Sequence, residues 1–378
     1  MDYLYYLIAF FAVINVIVFV HELGHYLAAK RVGVQITTFS IGMGPEIFGF
    51  NDKNGTRWRF SLLPIGGYVM MLGDADASST TVDTEALKEL SEEEKQKSII
   101  CKSNWEKILI SFGGPFFNYL YAFVVLFIMG ISFGVPNQCA PIISEVLKDA
   151  PAATAGFVAG DKIISLDGKK VEKFRDVLGT IANSDKSEFT FEIDRNGQLT
   201  TIVVAPKITE KKKLIGGVRK TKIIGIKCEK PVFERISVFQ SLKNATKECI
   251  SLTQEMFFML SRLFSGKKSL DDFGGVVHMA SVAGDMAKTG NFAVLIFFTV
   301  TLSLNLGFIN LFPMPVLDGG RIFICFIEQI TKRKLNEKFL EYIMIVCALL
   351  LILLMSATTI NDILRIEAVD KFVSKVLE

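Results

Sequence analysis

The chain has six cysteines in 378 residues (Cys101, Cys139, Cys228, Cys249, Cys325 and Cys347), and no two are spaced as CxxC. That scatter excludes a disulfide framework and a cysteine metal site. An excess of one charge is missing too: 42 Lys and Arg stand against 39 Asp and Glu, a net of +3. No basic stripe interleaves with aromatics, so nucleic-acid binding has no support. The N-terminal apolar run lacks the marks of a secretory leader. It opens on Asp2 rather than a basic stretch, and no small-residue cleavage site follows, so it is expected to be retained. The long apolar runs show no internal repeat of the kind that builds secondary transporters. Histidine is scarce, with three in the whole chain.

What is present is hydrophobicity in blocks. Half of the residues are hydrophobic and the mean hydropathy is +0.40, yet 21% are charged, which suits several membrane spans joined by soluble domains. Four runs are long enough to cross about 30 Å of hydrocarbon: Tyr3 to Tyr26, Ile108 to Phe133, Phe292 to Phe312 and Tyr342 to Ile360. Lys30 and Arg31 follow the first, Lys102 and Lys107 precede the second, and Lys332, Arg333, Lys334 and Lys338 lie between the third and fourth. The positive-inside rule puts these ends in the cytoplasm, leaving the N-terminus, the segment 135–291 and the C-terminal tail outside. The fold class expected is a polytopic α-helical membrane protein.

Two of the three histidines fall in His21-Glu22-Leu23-Gly24-His25, at the end of the first span. Positions i and i+4 share a helix face, so both imidazoles can meet one zinc ion, with Glu22 beside the metal as general base. Ionisable groups at membrane depth cost roughly 2.5–3.5 kcal/mol each on insertion scales, so such a cluster marks a functional site more readily than it would in a soluble helix. The plainer alternative is a polar helix end at the interface. The pattern points to an intramembrane metalloprotease.

A catalytic zinc takes three protein ligands and leaves a position open. His278 and Asp318 are the candidates for the third. His278 precedes the third span and so falls on the outer side, away from the motif. Asp318 ends Asn310-Leu311-Phe312-Pro313-Met314-Pro315-Val316-Leu317-Asp318-Gly319-Gly320, a span broken by two prolines and on the same side as the histidines. Irregular backbone at that depth is tolerated where it lines a cavity. The Asp-Gly-Gly is alternatively a plain turn with a capping carboxylate.

HELGH in a first span with NLFPMPVLDGG after a later one resembles the site-2 protease family, in its bacterial regulator-of-sigma-E protease branch. Gly113-Gly114-Pro115-Phe116-Phe117-Asn118 is similar to the family's GPxxN motif, and the likeness extends to the stretch from Gly274 to Gly290. The resemblance implies Asp318 as third zinc ligand and one zinc per chain. It implies that Asn118 and Asn310 steady the substrate backbone near the metal. Substrates implied are single-pass membrane proteins such as anti-sigma factors or remnant signal peptides, cut after an earlier protease, in a bacterial inner membrane. His278 is a departure from the family and has no assigned role.

Between the first two spans, Ile36 to Ile41, Glu46 to Phe50 and Arg57 to Leu63 read as strands, with a turn at Asn51-Asp52-Lys53-Asn54-Gly55. A helical substrate hides its peptide bonds, and a free sheet edge holds it extended by strand addition. Gly42 and Gly44 would let that backbone approach. Farther on, Pro151-Ala152-Ala153-Thr154-Ala155-Gly156-Phe157-Val158-Ala159-Gly160-Asp161-Lys162-Ile163-Ile164 resembles the signature of bacterial PDZ domains, with Asp149-Ala150 where the signature opens on serine. Such a domain captures a peptide or excludes untrimmed substrates by size. Phe233 to Phe264 reads as an amphipathic helix lying on the outer membrane surface, since Lys243, Lys247, Glu248 and Glu255 interrupt it as a fifth span. Short basic runs at Lys211 to Lys213 and Arg219-Lys220 are solvated loop or touch lipid headgroups.

The organisation expected is therefore 1–34 first span with HExxH, 35–73 cytoplasmic membrane-associated β element, 74–106 polar helical linker and 107–134 second span. Then come 135–210 periplasmic PDZ domain, 211–290 periplasmic linker and amphipathic helix, and 291–320 third span with the LDG motif. A cytoplasmic loop (321–340), the fourth span (341–360) and an amphipathic tail (361–378) complete it. Two alternatives stand beside the protease: a catalytically silent PDZ-bearing membrane receptor, against which the intact Glu22 speaks, and a metal transporter, against which the absence of repeats speaks.

Overall fold

A computed structural model describes residues 2–74, 91–136, 141–172, 174–184, 186–212, 218–228, 233–264, 275–288 and 292–364. About half of the expected linker (75–90) and most of the C-terminal tail (365–378) lie outside the described residues, as do Cys139 and the His278 side chain. The chain divides into two compact units, 1–128 with 239–363, and 129–238 with 364–378.

The first unit is built on helices α1 (Asp2–Arg31), α2 (Asn104–Ser132), α3 (Val238–Phe264), α4 (Val276–Lys288), α5 (Phe292–Asn310), α6 (Asp318–Thr331) and α7 (Glu337–Leu364). Among the described residues four stretches are long and apolar enough to cross a membrane: Leu4–Arg31, Asn104–Ser132, Ala293–Asn310 and Lys338–Ile360. They match the four apolar runs, and the molecule is a polytopic helical membrane protein. Where α1 and α2 cross, their backbones touch. A Cβ on Gly24 would stand 2.2 Å from the Gly113 carbonyl oxygen, and one on Gly113 would stand 2.5 Å from that of Gly24. Small residues let helices in lipid approach this closely, and here they bring the end of α1 against the middle of α2.

The helix α3 covers most of the run expected to form an amphipathic helix. It runs beside α2 and α5, burying Ala245 and Leu252 with Ala122, Leu126, Val300 and Leu304. The Ser241 hydroxyl donates to the Phe127 carbonyl, and Tyr119 and Thr253 bond 3.3 Å apart. Its charged residues break the hydrophobic run of a span, and its small and apolar residues face α2 and α5.

The strands β1 (Ile36–Asn51) and β2 (Arg57–Met71) are each long enough to fold back on themselves. Gly42 and Gly44, at φ +85° and +87°, bend β1, and Gly66 at φ +76° lies at the bend of β2. Four runs result. Ile36–Ile41 is central, with Gly67–Met71 antiparallel on one side and Arg57–Phe60 on the other, and Glu46–Asn51 pairs with the outer side of Arg57–Ser61. The run Gly67–Met71, which follows Pro64 and Gly66, is an edge with no further strand beside it among the described residues. Asp52 organises the turn by accepting from the Asn54 and Thr56 N–H groups. Phe39 stacks on Trp58 at 4.3 Å between centroids and meets Tyr26 edge-on, so the sheet is docked on α1 at the residue that follows His25.

The second unit holds a four-stranded sheet in the order Lys169–Lys170, β3 (Lys162–Leu166), β4 (Phe189–Arg195), β5 (Gln198–Val204), with the helix Phe174–Asn183. Asn196 and Gly197 both take positive φ, the tight hairpin turn their identities suggest. Ile163, Val177, Phe189, Phe191 and Ile193 form its core, which continues past residue 210 to Ile224 and Ile226. Asp161 of the PDZ-like signature is fully buried and receives both arms of the Arg195 guanidinium at 2.7 and 2.8 Å. Burial alone would raise the Asp161 carboxyl, but Arg195 and the Val158 N–H hold it below its ordinary range. Its stabilising contribution is therefore complete above about pH 3.9 and is lost as pH falls through the lower folded value. Hydrogen exchange at Ile163 and Ile193 is expected to show that acid loss in the wild type. Arg195→Met should show weaker protection at pH 7 and no such slope.

Candidate metal centre

The i, i+4 spacing on α1 puts His21 and His25 on one face, with their Nε2 atoms 3.2 Å apart. The histidines are 7% and 9% exposed. The third member arrives from the other end of the chain. After α5 stops at Asn310, a chain of short turns through Leu311 to Leu317 delivers Asp318 as the first residue of α6. Only glycine fits behind it: a Cβ on Gly319 would lie 2.3 Å from the Leu311 and Phe312 carbonyl oxygens, and one on Gly320 2.1 Å from that of Met314. The Asp318 Oδ2 then sits 3.1 Å from His21 Nε2 and 3.4 Å from His25 Nε2.

Those three separations test whether the residues fit a metal. Ligand atoms about 2.0–2.1 Å from a tetrahedral ion stand about 3.3 Å from one another. The observed edges fit that figure. Among the described residues His21, His25 and Asp318 are the group of His, Cys, Asp or Glu side chains that converges in this way. The donor set, two imidazoles and one carboxylate, suits zinc and leaves a fourth position free. His25 is further fixed by its Nδ1, 2.8 Å from the Ile110 carbonyl oxygen, which can only accept, so Nδ1 carries a proton and Nε2 is the atom that would hold a metal.

The centre opens on a cavity of about 620 Å³ whose wall includes Glu22, Gly67, Tyr68, Asn310, Arg321 and Glu341. Glu22 is thus placed on the same space as the three converging groups. Asn310 lies at its wall, its Nδ2 3.3 Å from His21 Nε2. Asn118 is elsewhere: it is fully buried behind His21, with Nδ2 3.0 Å from His21 Nδ1. Gly42 and Gly44 do not line the cavity. A Cβ on Gly42 would stand 2.5 Å from the Leu63 carbonyl oxygen, so this glycine serves the bend of the sheet itself.

Two glycines without an assigned role in the sequence border the chemistry. A Cβ on Gly114 would come within 2.4 Å of His25 Nε2 and 2.7 Å of the His21 ring. One on Gly67 would meet the Ser40 carbonyl oxygen at 2.8 Å and Glu22 Cγ at 3.3 Å. A glycine carries no chemical signal of its own, and only the neighbouring element reveals the requirement.

The model of peptidase family M50 matches residues 9–354. A Mesorhizobium japonicum protein named "Putative zinc metalloprotease mll0638" is 34% identical over 361 residues, covering 94% of this chain and 98% of that one. Metalloprotease MmpA of Caulobacter vibrioides is 31% identical over 354 residues, covering 88% and 89%. Among solved structures, the PDZ domain of an SdrC-like protein from Listeria innocua is similar over 26% of this chain and 100% of its own, at 17% identity and a TM-score of 0.21.

Proposed function

Since the chain belongs to peptidase family M50 and is a zinc metalloprotease of the site-2 type, we propose that it cleaves single-pass membrane proteins within or beside their transmembrane segment. The observation that carries this reading is the convergence of His21, His25 and Asp318 beside Glu22, with both histidines on a helix of membrane-spanning length. His21, His25 and Asp318 hold the zinc. Bound zinc supplies a Lewis acid that brings the pKa of water to about 7 and polarises a carbonyl. Glu22 takes the proton of the attacking water and returns it to the leaving amine, the two halves of peptide hydrolysis. Asn310, at the cavity wall, donates to the substrate backbone.

A transmembrane helix must be unwound before its carbonyls are open to attack. The edge run Gly67–Met71 supports a way to do this, because four of its residues line the cavity and its outer side has no strand partner among the described residues. The substrate adds there as an extended strand, with main-chain hydrogen bonds replacing those of its helix. Arg321 and Glu341 also line the cavity, and charged groups in its wall support a polar path for water from the cytoplasmic side. The second unit, outside the membrane in this reading, binds an exposed substrate segment or turns away substrates whose outer domain is intact. The surrounding partner is the lipid of a bacterial inner membrane.

The test is cleavage of a trimmed single-pass reporter by the purified full-length protein in detergent. Cleavage that stops on zinc chelation and returns with added zinc is expected. Cleavage indifferent to chelation would refute the assignment.

A further inference from the structure

The two asparagines that the family resemblance treats alike occupy different places. Asn310 faces the cavity, whereas Asn118 has no exposed surface and cannot touch a substrate. It is held from two sides: Ser303 donates to its backbone carbonyl, and α5 packs on it at Gly307, where an added Cβ would stand 3.1 Å from the Asn118 Cβ. Its amide reaches one partner, His21 Nδ1, and its Oδ1 is the buried side-chain polar atom left without a hydrogen bond among the described residues.

We propose that Asn118 is a positioning residue for the metal ligand His21, fixing which ring nitrogen carries the proton. The proposal rests on the zinc reading above and assigns Asn118 away from the substrate. An imidazole that gives its Nε2 lone pair to a metal carries its proton on Nδ1 and must donate it. An amide nitrogen cannot accept that proton. Turned by half a rotation about its last bond, the side chain presents Oδ1 to Nδ1 instead, at the same place and with the same number of unmet amide atoms. The orphaned oxygen thereby gains its partner. His25 has the corresponding support from the Ile110 carbonyl, so each zinc-binding imidazole has an oxygen behind it.

The experiment measures zinc affinity of the full-length protein in detergent by competition with a chromophoric chelator, alongside KM and kcat for the trimmed reporter. Asn118→Leu is expected to weaken zinc by about 10- to 100-fold, the usual effect of removing a group that orients a metal ligand. Asn118→Asp, which keeps an acceptor oxygen in place, should remain within about threefold of wild type, with KM unchanged. Unaltered zinc affinity with a raised KM would overturn the proposal and return Asn118 to substrate binding. So would a folded Asn118→Asp protein that loses zinc as Asn118→Leu does. Because zinc affinity is read without substrate, failure of the peptidase assignment shows separately, as absent cleavage by zinc-loaded wild type.

Discussion

Glu22→Gln is expected to keep zinc at wild-type stoichiometry and to lower kcat for a trimmed reporter by at least about a hundredfold. The residue follows His21 directly and lines the cavity without joining the converging group. Glutamine preserves its size and hydrogen-bonding reach but cannot accept a proton from water, so the loss falls on chemistry and leaves KM nearly unchanged. Metal analysis of the purified variant is the control. A variant that binds zinc and cleaves within tenfold of wild type would remove Glu22 as the base. Loss of zinc from the variant would instead make it part of the metal's support.

Gly114→Ala is expected to have an effect of similar size by a different route. The added methyl would stand 2.4 Å from His25 Nε2 and 2.8 Å from His21 Nε2, the two atoms that converge on the metal. Neither ring has room to retreat: His25 is held at the Ile110 carbonyl and His21 abuts Asn118. The methyl must part α1 from α2 or rotate an imidazole, and a shift of about 1 Å in a catalytic group costs about a hundredfold in rate. Zinc affinity should fall at least about tenfold, measured by chelator competition. Gly179→Ala, where an added Cβ meets nothing within 4 Å, is the matched control and should leave zinc affinity unchanged. Full zinc binding by Gly114→Ala would contradict the close packing of α2 on the histidines.

The parts of this centre that were legible in the sequence are those whose signal is periodic or chemical. The helix period alone pairs His21 with His25, and the apolar runs locate the helices that carry them. Asp318 is suggested by a carboxylate where two prolines end a span, and the fold supplies what sequence could not, a 3.1 Å approach across almost three hundred residues of chain. Gly114 and Gly67 stayed silent because their role is an absence of volume. The edge run of β2 was likewise not anticipated: the expected strand stops at Leu63, yet the chain bends past Pro64 and Gly66 and continues as the strand that lines the cavity. Helix α3 forms where the sequence puts a helix, and the fold adds what its apolar face packs against. Its charged residues argue against a lipid-facing span, but Ala245 and Leu252 make a face that packs on α2 and α5. Asn118 and Asn310 looked equivalent until burial separated them.

The most direct test of intramembrane hydrolysis is to locate the broken bond. Wild-type protein and a trimmed single-pass reporter, reconstituted together in lipid vesicles, would be analysed by mass spectrometry of both product ends, with zinc-chelated and Glu22→Gln samples beside them. A single zinc-dependent cut within or next to the reporter's apolar segment, absent from both controls, is the result predicted. Cuts confined to soluble regions distant from that segment, or persisting in the controls, would contradict it.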